Sequence, residues 1–543
     1  MISITQIPIE DIELFISKNN YDIPDNNKDM YNLANNLLRT AKYYPDIIID
    51  WIIAHNLIIL GTKVPIHTKS EISLLNNKEL DNLAKLLKLD RMNIDSILNI
   101  LNFIGKLKKE TTIYDIMDPE IIQEIALNLS YDDIINNCNT SEQFNYLICK
   151  NNHFWKLKTD KDYPGQKLDG NWRRTYEKSL PKVYTFGSGS EGKLGHGDNS
   201  NIYIPKVIES LKNVTSVSCG YNHTAVISNG KLYTFGEGHY GQLGHGNKNN
   251  LSTPELVKGL ENVTSVSCGV VNTAVIAAGK LYTFGYNHDG RLGHGNKEDV
   301  YVPKIVESFK NVTSVSCGNN HTAVIANDKL YTFGNGNRGQ LGHGDNNHIY
   351  IPKIIESLDN VSSVSCGSYY TAVVAKGKLY TFGDGDYGKL GHENDDDDND
   401  YDNYDNNVYV PKVIESLNNV TSVSCGYDHT AAISDSKLYT FGSGIYGQLG
   451  HGKLEHDDND DDDDDNNVYV PKIIESFKNV TSVSCGANHT AVISNGKLYT
   501  FGNDEEGQLG GDTENVYIPE IVKGLNNVVA VSCGNNYTAV IAS

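Results

Sequence analysis

The sequence lacks a surplus of positive charge. Its 46 lysines and arginines are outnumbered by 68 aspartates and glutamates, and the net charge is −22. Proteins that bind nucleic acid through its phosphates need a basic face, because much of the affinity comes from the release of counterions. No strongly basic stripe is visible, so the sequence disfavours direct nucleic-acid binding.

Long apolar runs are also missing. The most apolar stretch, Ile47 to Leu60, is too short to cross a bilayer and is interrupted by Asp50, His55 and Asn56. The first eight residues have neither a basic region nor a long apolar core, so no signal peptide is predicted. We expect an intracellular protein, cytoplasmic or nuclear, that is neither secreted nor bound to a membrane.

Cysteine and tryptophan are scarce, with nine and three residues among 543. Seven of the cysteines stand at one equivalent position of an internal repeat, and the other two are Cys138 and Cys149. Equivalent positions of a repeat that closes into a ring lie apart and cannot easily pair, and no signal peptide directs the chain to an oxidising compartment. Reduced thiols are therefore expected.

The internal repeat fills the last two-thirds of the chain. Tyr-Thr-Phe-Gly occurs seven times, and a Cys-Gly pair follows each copy. The pairs begin at Cys219, Cys268, Cys317, Cys366, Cys425, Cys485 and Cys533. Their spacing of 49, 49, 49, 59, 60 and 48 residues shows one unit of about 49 residues, twice enlarged by an insertion. Such a period indicates a propeller or a solenoid.

Each unit has the pattern of four short strands. Thr224–Ile227 and Leu232–Phe235 flank Asn229-Gly230, a strong hairpin signal. An alternating Val-Thr-Ser-Val-Ser-Cys run and a run containing Pro205 supply two more strands, with the proline at a strand start or on an edge. Seven four-stranded units predict a β-propeller.

The two ends of the repeat region predict closure of the ring. The first Tyr-Thr-Phe-Gly strand, from Val183, has no hairpin partner before it, and the strand Thr538–Ala542 has none after it. Pairing them completes one mixed blade and removes two exposed sheet edges. The predicted fold is therefore multidomain, with an all-α N-terminal region followed by an all-β seven-bladed propeller over residues 181–543.

At these residues the sequence resembles the regulator-of-chromosome-condensation (RCC1) repeat family, whose seven-bladed propellers carry Cys-Gly-x-x-His-Thr-Ala and Leu-Tyr-x-Phe-Gly-x-Gly-x-x-Gly-Gln-Leu-Gly. The resemblance covers about Pro181 to Ser543. WD repeats fit poorly, since their period is shorter and they carry a Trp-Asp signature, whereas Trp51, Trp155 and Trp172 all lie outside the repeats. The near-identical repeats and the abundance of Asn, Ile, Asp, Lys and Tyr resemble proteins of giant viruses or protists.

The two insertions, 393–407 and 453–467, account for most of the net negative charge. Together they carry 17 acidic residues. One interpretation is a pair of solvated, disordered loops, because like charges repel and cannot be buried. The other is weak Ca²⁺ capture or decoy binding to a basic partner.

The amino-terminal third has a helical pattern. In residues 1–110, leucines and isoleucines recur three and four positions apart, which is typical of helices that pack together. Residues 111–180 resemble an F-box, whose proline and apolar residues dock onto the Skp1 adaptor of a cullin-based ubiquitin ligase. The matching residues are Pro119, Ile121, Ile122, Ile125 and Leu129. The alternative is a small helical domain that packs on itself and on Trp172–Tyr176.

The repeats contain motifs that resemble chemical sites. Gly-x-Gly-x-x-Gly from Gly236 matches a dinucleotide fingerprint, but a Pro-containing strand follows instead of the required helix. The glycines are better explained as positive-φ residues of a tight loop. Two sets of recurring histidines are expected to bond the local backbone, since propeller repeats place equivalent residues far apart. We predict no catalytic, cofactor-binding or metal-binding residues, and no enzyme activity.

The residues that vary between copies predict the binding surface. Within the Gly-x-Gly-x-x-Gly loops the framework is fixed and the x positions change, as in rigid scaffolds that present binding loops. Exposed Tyr and Arg are favoured interface anchors. We call the set of these loops the loop ring and predict that it binds a protein partner. The candidate residues are His239, Tyr240, His288, Arg338, Tyr387 and Tyr446.

Three functions remain possible at this point. The first is a substrate-recruiting adaptor, in which the F-box-like region engages a Skp1-like protein and the propeller captures the target. The second follows from the resemblance, since the founding member of the repeat family is a guanine-nucleotide exchange factor for the small GTPase Ran that also docks on nucleosomes. The third is a structural or packaging component of a virion.

Overall fold

The computed structural model describes residues 119–140, 144–393, 406–453, 466–511 and 515–543. The chain divides into two compact units, Met1–Ser179 and Leu180–Ser543. The predicted helical region 1–110 and nearly all of both acidic insertions lie outside the described residues. Within the described ranges, no helix is long and apolar enough to cross a bilayer.

The first unit is helical over its described part. Its elements are α1 (Pro119–Asn128), α2 (Tyr131–Thr140), a π-helical turn (Asn145–Cys149), α3 (Asn152–Asp162) and α4 (Trp172–Ser179). Asn151 caps α3, because its side chain accepts hydrogen bonds from the backbone of His153 at 3.0 Å and Phe154 at 3.2 Å. Trp155 and Tyr176 are buried with ring centroids 5.4 Å apart, and they form an aromatic core.

One cysteine pair differs from expectation. Cys138 in α2 and Cys149 at the end of the π-helical turn form a disulfide, with Cα atoms 6.1 Å apart. The prediction of reduced thiols is therefore wrong for this pair. It is confirmed for the seven repeat cysteines, which are free and buried.

The second unit contains seven four-stranded antiparallel sheets. Six are continuous in sequence and are numbered here as blades 1 to 6. Blade 1 contains β3 (Val214–Cys219), β4 (His223–Ser228), β5 (Lys231–Gly236) and β6 (Leu251–Leu256), and blade 2 contains β7 (Val263–Cys268), β8 (Asn272–Ala277), β9 (Lys280–Gly285) and β10 (Val300–Ile305). Blade 3 contains β11 (Val312–Cys317), β12 (His321–Ala326), β13 (Lys329–Gly334) and β14 (Ile349–Ile354), and blade 4 contains β15 (Val361–Cys366), β16 (Tyr370–Ala375), β17 (Lys378–Gly383) and β18 (Val408–Val413). Blade 5 contains β19 (Val420–Cys425), β20 (His429–Ser434), β21 (Lys437–Gly442) and β22 (Val468–Ile473), and blade 6 contains β23 (Val480–Cys485), β24 (His489–Ser494), β25 (Lys497–Gly502) and β26 (Val516–Ile521).

Blade 7 is built from both ends of the repeat region, as predicted. Its order is β27 (Val528–Cys533), β28 (Tyr537–Ala542), β1 (Lys182–Gly187) and β2 (Ile202–Val207). β1 pairs with β28 along its whole length, with Val183 opposite Ile541. The seven-bladed closed propeller is therefore confirmed.

Local sequence explains the shape of each blade. The two-residue turn between β4 and β5 has φ of 56° at Asn229 and 68° at Gly230, the left-handed conformation that Asn-Gly adopts readily. The proline-containing strands lie at the outer edge, where a missing N–H costs no ladder bond. Apolar side chains of neighbouring blades pack together in one cluster per contact, such as Val226, Val217 and Phe235 with Tyr537 and Ile541.

Candidate binding face

One edge of the propeller carries all six residues that were predicted to bind a partner through the loop ring. Because neighbouring strands are antiparallel, the end of the first strand, the start of the second and the end of the third meet at the same edge, as His223 opposite Gly236 shows. This edge, which we call the loop face, carries the turns after each Cys-Gly pair and the loop ring. Both acidic insertions interrupt loops of this face, between β17 and β18 and between β21 and β22.

The six predicted loop residues all lie exposed on the loop face. Tyr387, for example, is 44% exposed and sits in a single 3₁₀ turn with a φ of 59°, a strained value for a tyrosine. The first variable position of the loop behaves differently, because Asn335, Asp384 and Ser443 are buried. Variation there changes internal packing rather than the surface.

The seven Cys-Gly pairs meet at the centre of the ring. They line one cavity of about 100 Å³, together with Tyr221 and Tyr427 on the loop face. The expectation that equivalent residues lie far apart is therefore wrong for these pairs. Each glycine is required by a close approach: a Cβ on Gly220 would lie 2.4 Å from the carbonyl oxygen of Gly269 in the next blade.

A ring of hydrogen bonds fixes the inner strands. The backbone N–H of each repeat cysteine donates to the hydroxyl of the serine before the cysteine in the preceding blade, as from Cys268 to Ser218 at 2.9 Å. All seven contacts between neighbouring blades carry this bond. Burial raises the pKa of the Cys317 thiol to about 11 and that of Cys219 to about 12, so these thiols stay protonated and unreactive.

The histidines before Thr-Ala join adjacent blades. His223 Nε2 lies 2.9 Å from the hydroxyl of Thr273 in the next blade, and that hydroxyl donates to the carbonyl of Gln242 at 2.7 Å. The Thr273 hydroxyl has one proton, and its bond to the Gln242 carbonyl takes that proton, so His223 must donate to the hydroxyl through Nε2–H. The imidazole of His223 is neutral. His321, His429 and His489 make the same contact. The expectation of local backbone bonds is wrong for this set, because the partner is a side chain across the blade contact.

Tyrosine replaces this histidine at two contacts between blades. Tyr537 donates to the carbonyl of His223 at 2.7 Å, and Tyr370 donates to the carbonyl of His429 at 2.6 Å. Both rings are fully buried. The longer side chain therefore reaches the backbone of the next blade, and a hydrogen bond between the two blades is kept.

Asn272 is the exception at the contact between blades 2 and 3. Its side chain is fully buried, and neither its Oδ1 nor its Nδ2 has a hydrogen-bond partner among the described residues. A buried polar group without a partner costs about 1–3 kcal/mol. This contact is accordingly the weakest of the seven in hydrogen bonding.

We expect Asn272→His to stabilise the propeller by about 1–2 kcal/mol, since it introduces the residue that four equivalent positions carry and gives Thr322 a donor. The free energy of unfolding, measured by urea titration at pH 7.5, checks this. Asn272→Ala is the control, because it removes the unpaired amide without adding a bond. Equal stability of the histidine and alanine variants would contradict the bond.

The histidines after Leu-Gly act within a blade. His196 Nε2 lies 2.9 Å from the hydroxyl of Thr185, eleven residues earlier, and five further copies repeat the contact. The partner is again a side chain rather than the expected backbone. Burial lowers the pKa of His196 to about 4. Among the described residues, no group of three or more His, Cys, Asp or Glu could hold a metal ion.

Buried cations occupy one loop position in three blades. Lys389 pairs with Asp384 at 2.9 Å and Asp428 at 2.7 Å, and although burial lowers its pKa, these carboxylates outweigh burial and raise it. Lys193 instead contacts the amide oxygen of Asn222 at 3.0 Å, and burial lowers its pKa to about 8. The same loop position therefore holds a lysine that is paired with carboxylates in one blade and with a neutral amide in another.

The loop face is strongly acidic even without the insertions. Outside the insertions its described carboxylates are Glu191, Asp198, Glu237, Asp289, Glu298, Asp299, Asp345, Asp384, Asp386, Asp428, Asp504, Glu505 and Glu506, and its cations are Lys193, Lys248, Arg291, Lys297, Arg338 and Lys389. The opposite edge instead has a lysine at the start of every third strand. The negative charge of the propeller is thus concentrated on the face that carries the variable loops.

Two related family models together match nearly the whole ring. The RCC1 repeat matches residues 182–227, 229–276 and 278–325, and the RCC1-like domain matches residues 307–540. The propeller is an RCC1-repeat domain.

Curated relatives share only part of their length with this RCC1-repeat chain. A mouse protein named probable E3 ubiquitin-protein ligase HERC4 is 39% identical over 114 residues, which is 20% of this chain and 10% of the relative. The human X-linked retinitis pigmentosa GTPase regulator is 35% identical over 108 residues, 19% of this chain and 10% of the relative. The chain thus aligns with about a tenth of the length of each.

Solved structures share the fold of the RCC1-repeat domain. Human WBSCR16 superposes with a TM-score of 0.58 at 23% identity, covering 67% of this chain and 99% of that structure. Prp20p of Saccharomyces cerevisiae superposes with a TM-score of 0.59 at 19% identity, covering 70% and 94%. At these identities the likeness establishes the fold alone.

The F-box-like residues lie in and after α1. Pro119 begins the helix and is exposed, whereas Ile122, Ile125 and Leu129 are buried. The backbone of Ile121 belongs to α1, but its side chain is outside the described part of the structure. Docking of a Skp1-like adaptor through this segment stays a prediction, as does binding by the loop ring.

Proposed function

We propose that this protein is a substrate-recruiting adaptor that performs no reaction of its own. The propeller captures a target protein on its loop face, and the F-box-like helices engage a Skp1-like subunit of a cullin-type ubiquitin ligase. The observation that carries the proposal is the contrast between a uniform framework and variable exposed residues, all of them on one face of a closed ring.

The composition of the loop face supports protein binding. Exposed Tyr240, Tyr387 and Tyr446 lie near exposed charged side chains such as Arg338, a mixture that is favoured at protein interfaces. The hydrogen-bonded ring of blades fixes the strands from which these loops project, which limits the conformational entropy that binding would cost. A rigid platform of this kind suits capture of a folded target.

The ubiquitin-ligase assignment depends on the helical unit. It is supported by the F-box-like sequence from Pro119 to Leu129 and by a relative that is named a probable E3 ubiquitin-protein ligase. The exposed Pro119 is the position where the predicted contact can be changed without opening the core.

We expect Pro119→Asp to reduce co-purification with a Skp1-type adaptor at least about tenfold, because a charge replaces the apolar contact. Aspartate is well tolerated in the first turn of a helix, so α1 should persist. Glu124→Ala, at an exposed position of the same helix, is the matched control and should bind like the wild type. No association of the wild-type chain with the adaptor would exclude the assignment.

A second candidate function is guanine-nucleotide exchange on a small GTPase. It is favoured by the names of two similar proteins, a GTPase regulator and Prp20p, whose structure is described with its binding to Gsp1p and histones. Exchange in this repeat family relies on a projecting wedge from one blade, and the composition of the long acidic insertions does not favour an ordered wedge. Release of labelled GDP from Ran, measured with and without the full chain, decides between the two functions.

A further inference from the structure

The mouth of the central cavity carries an aromatic pair that the repeat itself does not require. The residue after each Cys-Gly differs between blades, whereas Cys-Gly is constant. The seven residues are Tyr221, Val270, Asn319, Ser368, Tyr427, Ala487 and Asn535. The two tyrosines therefore reflect a property of this mouth and not of the fold.

Tyr221 and Tyr427 face each other across the ring. They belong to blades 1 and 5, yet their ring centroids are 6.4 Å apart and their planes differ by 21°. Both rings line the cavity. Tyr221 is 36% exposed, so the pair is open to the loop face. Burial is the main cause that raises the pKa of Tyr427, with smaller contributions from Tyr221 and Asp428, and this tyrosine stays neutral.

The charge around this pair is negative. Asp428 follows Tyr427 directly, and the acidic loops of the loop face surround the mouth. Cations of the loop face lie over other tyrosines, such as Arg291 over Tyr286 at 5.1 Å. Within the described ranges, no cation of the chain lies over Tyr221 or Tyr427. Aromatic faces in a negative field attract cations.

The size of the cavity limits the ligand. The volume of about 100 Å³ is smaller than the roughly 150 Å³ of a cavity that holds one benzene molecule, so there is room for a narrow, unbranched chain but not for a folded segment. Among the described residues, the seven Cys-Gly pairs, Val270 and Ala487 line the cavity without any charged side chain, and such walls accept methylene groups. A lysine side chain combines a methylene stem with a terminal cation and fits both features.

We propose that Tyr221 and Tyr427 form a clamp for a lysine side chain from a lysine-rich segment of a partner protein, with the acidic loop face binding the neighbouring charges. The proposal rests on the proposed docking function of the loop face and names the chemistry of its partner. A protein segment is favoured over a small free cation, because the negative charge extends far beyond the cavity to the rim loops.

The test uses the full chain and a fluorescein-labelled peptide of alternating lysine and glycine, with binding followed by anisotropy. Tyr221→Ser with Tyr427→Ser is the clamp variant, since serine already occupies this position in blade 4. We expect about tenfold weaker binding in the clamp variant. Tyr221→Phe with Tyr427→Phe should bind within about twofold of the wild type, because the ring face and not the hydroxyl binds the cation.

A matched control changes exposed side chains outside the loop face. Ile521→Ser with Val529→Ser alters two exposed residues at the opposite edge of the propeller, in β26 and β27, and should change peptide affinity less than about twofold. A glutamine-for-lysine peptide should not bind the wild type. Equal affinity of the wild type and the clamp variant, or no binding of the lysine peptide to the wild type, would overturn the clamp. The adaptor co-purification with Pro119→Asp reads out the proposed function separately.

Discussion

At pH 5 we expect the propeller to have lost most of its stability. Burial lowers the pKa of His223, His321, His429 and His489 to about 3. The folded-state pKa lies below the value of about 6.5 in the unfolded chain, so the stabilisation is complete above pH 6.5 and is lost as the pH falls toward 3. Protonation would place a charge on Nδ1, which has no partner among the described residues.

The expected loss is large compared with the stability of a domain. As the pH falls from 6.5 to 5, each of these histidines lowers the free energy of unfolding by roughly 1.6 kcal/mol, and the four together lower it by about 6–7 kcal/mol. Natural domains are stable by about 5–15 kcal/mol. The histidines after Leu-Gly change in the same direction, but they are only partly buried, so solvent screening reduces their contribution.

Urea unfolding followed by far-UV circular dichroism at pH 7.5, 6.5, 5.5 and 5.0 measures this loss. His321→Tyr is the matched variant, because Tyr370 and Tyr537 show that tyrosine fits the equivalent position. Its free energy of unfolding should fall by roughly 1.6 kcal/mol less than that of the wild type between pH 6.5 and pH 5. Parallel pH profiles of the two proteins would show that the histidines are not the cause.

Removal of residues 537–543 should prevent formation of a stable propeller. These residues contain β28, which lies between β27 and β1 and is the central link of blade 7. Tyr537, Val540 and Ile541 are fully buried, and loss of each large buried side chain costs about 2–5 kcal/mol. The summed loss from these side chains is comparable with the whole free energy of unfolding of a domain. The deletion also exposes two strand edges.

A deletion of equal length separates this effect from shortening of the chain. Removal of residues 459–465, within the second acidic insertion, takes out seven residues between β21 and β22 and should leave the melting temperature within a few degrees. The two deletions are compared by circular dichroism and thermal melting. A cooperative melt of the chain that ends at Asn536, near the wild-type temperature, would show that closure of the ring is not required for folding.

The sequence predicted the propeller well because local and global signals agree. The Asn-Gly turns, the outer-strand prolines and the unpartnered strands at both ends of the repeat each have a local physical cause, and each is confirmed. Repetition of the unit strengthened the strand pattern, because each strand recurs at the same place in seven copies. In the helical unit no such repetition exists, and the disulfide between Cys138 and Cys149 was not predicted.

The contacts between blades could not be predicted from a single repeat. The partner of His223 is Thr273, one whole unit away in sequence, so the pairing becomes visible only when the blades are placed side by side. The convergence of the Cys-Gly pairs and the approach of Tyr221 to Tyr427 depend in the same way on ring geometry. The sequence did contain a signal for the aromatic pair, since Tyr221 and Tyr427 stand after Cys-Gly at a position where the other copies carry smaller residues.

The unequal residues at the blade contacts also bear on how such a chain avoids misassembly. Modules this similar could exchange places while folding, which is a known failure of repeat proteins. Histidine crosses four contacts, tyrosine crosses those after blades 4 and 7, and asparagine stands at the one after blade 2. These buried side chains differ in length and in hydrogen bonding, so the seven contacts are unequal. Fewer wrong pairings are therefore equivalent to the correct one than in a ring of identical modules.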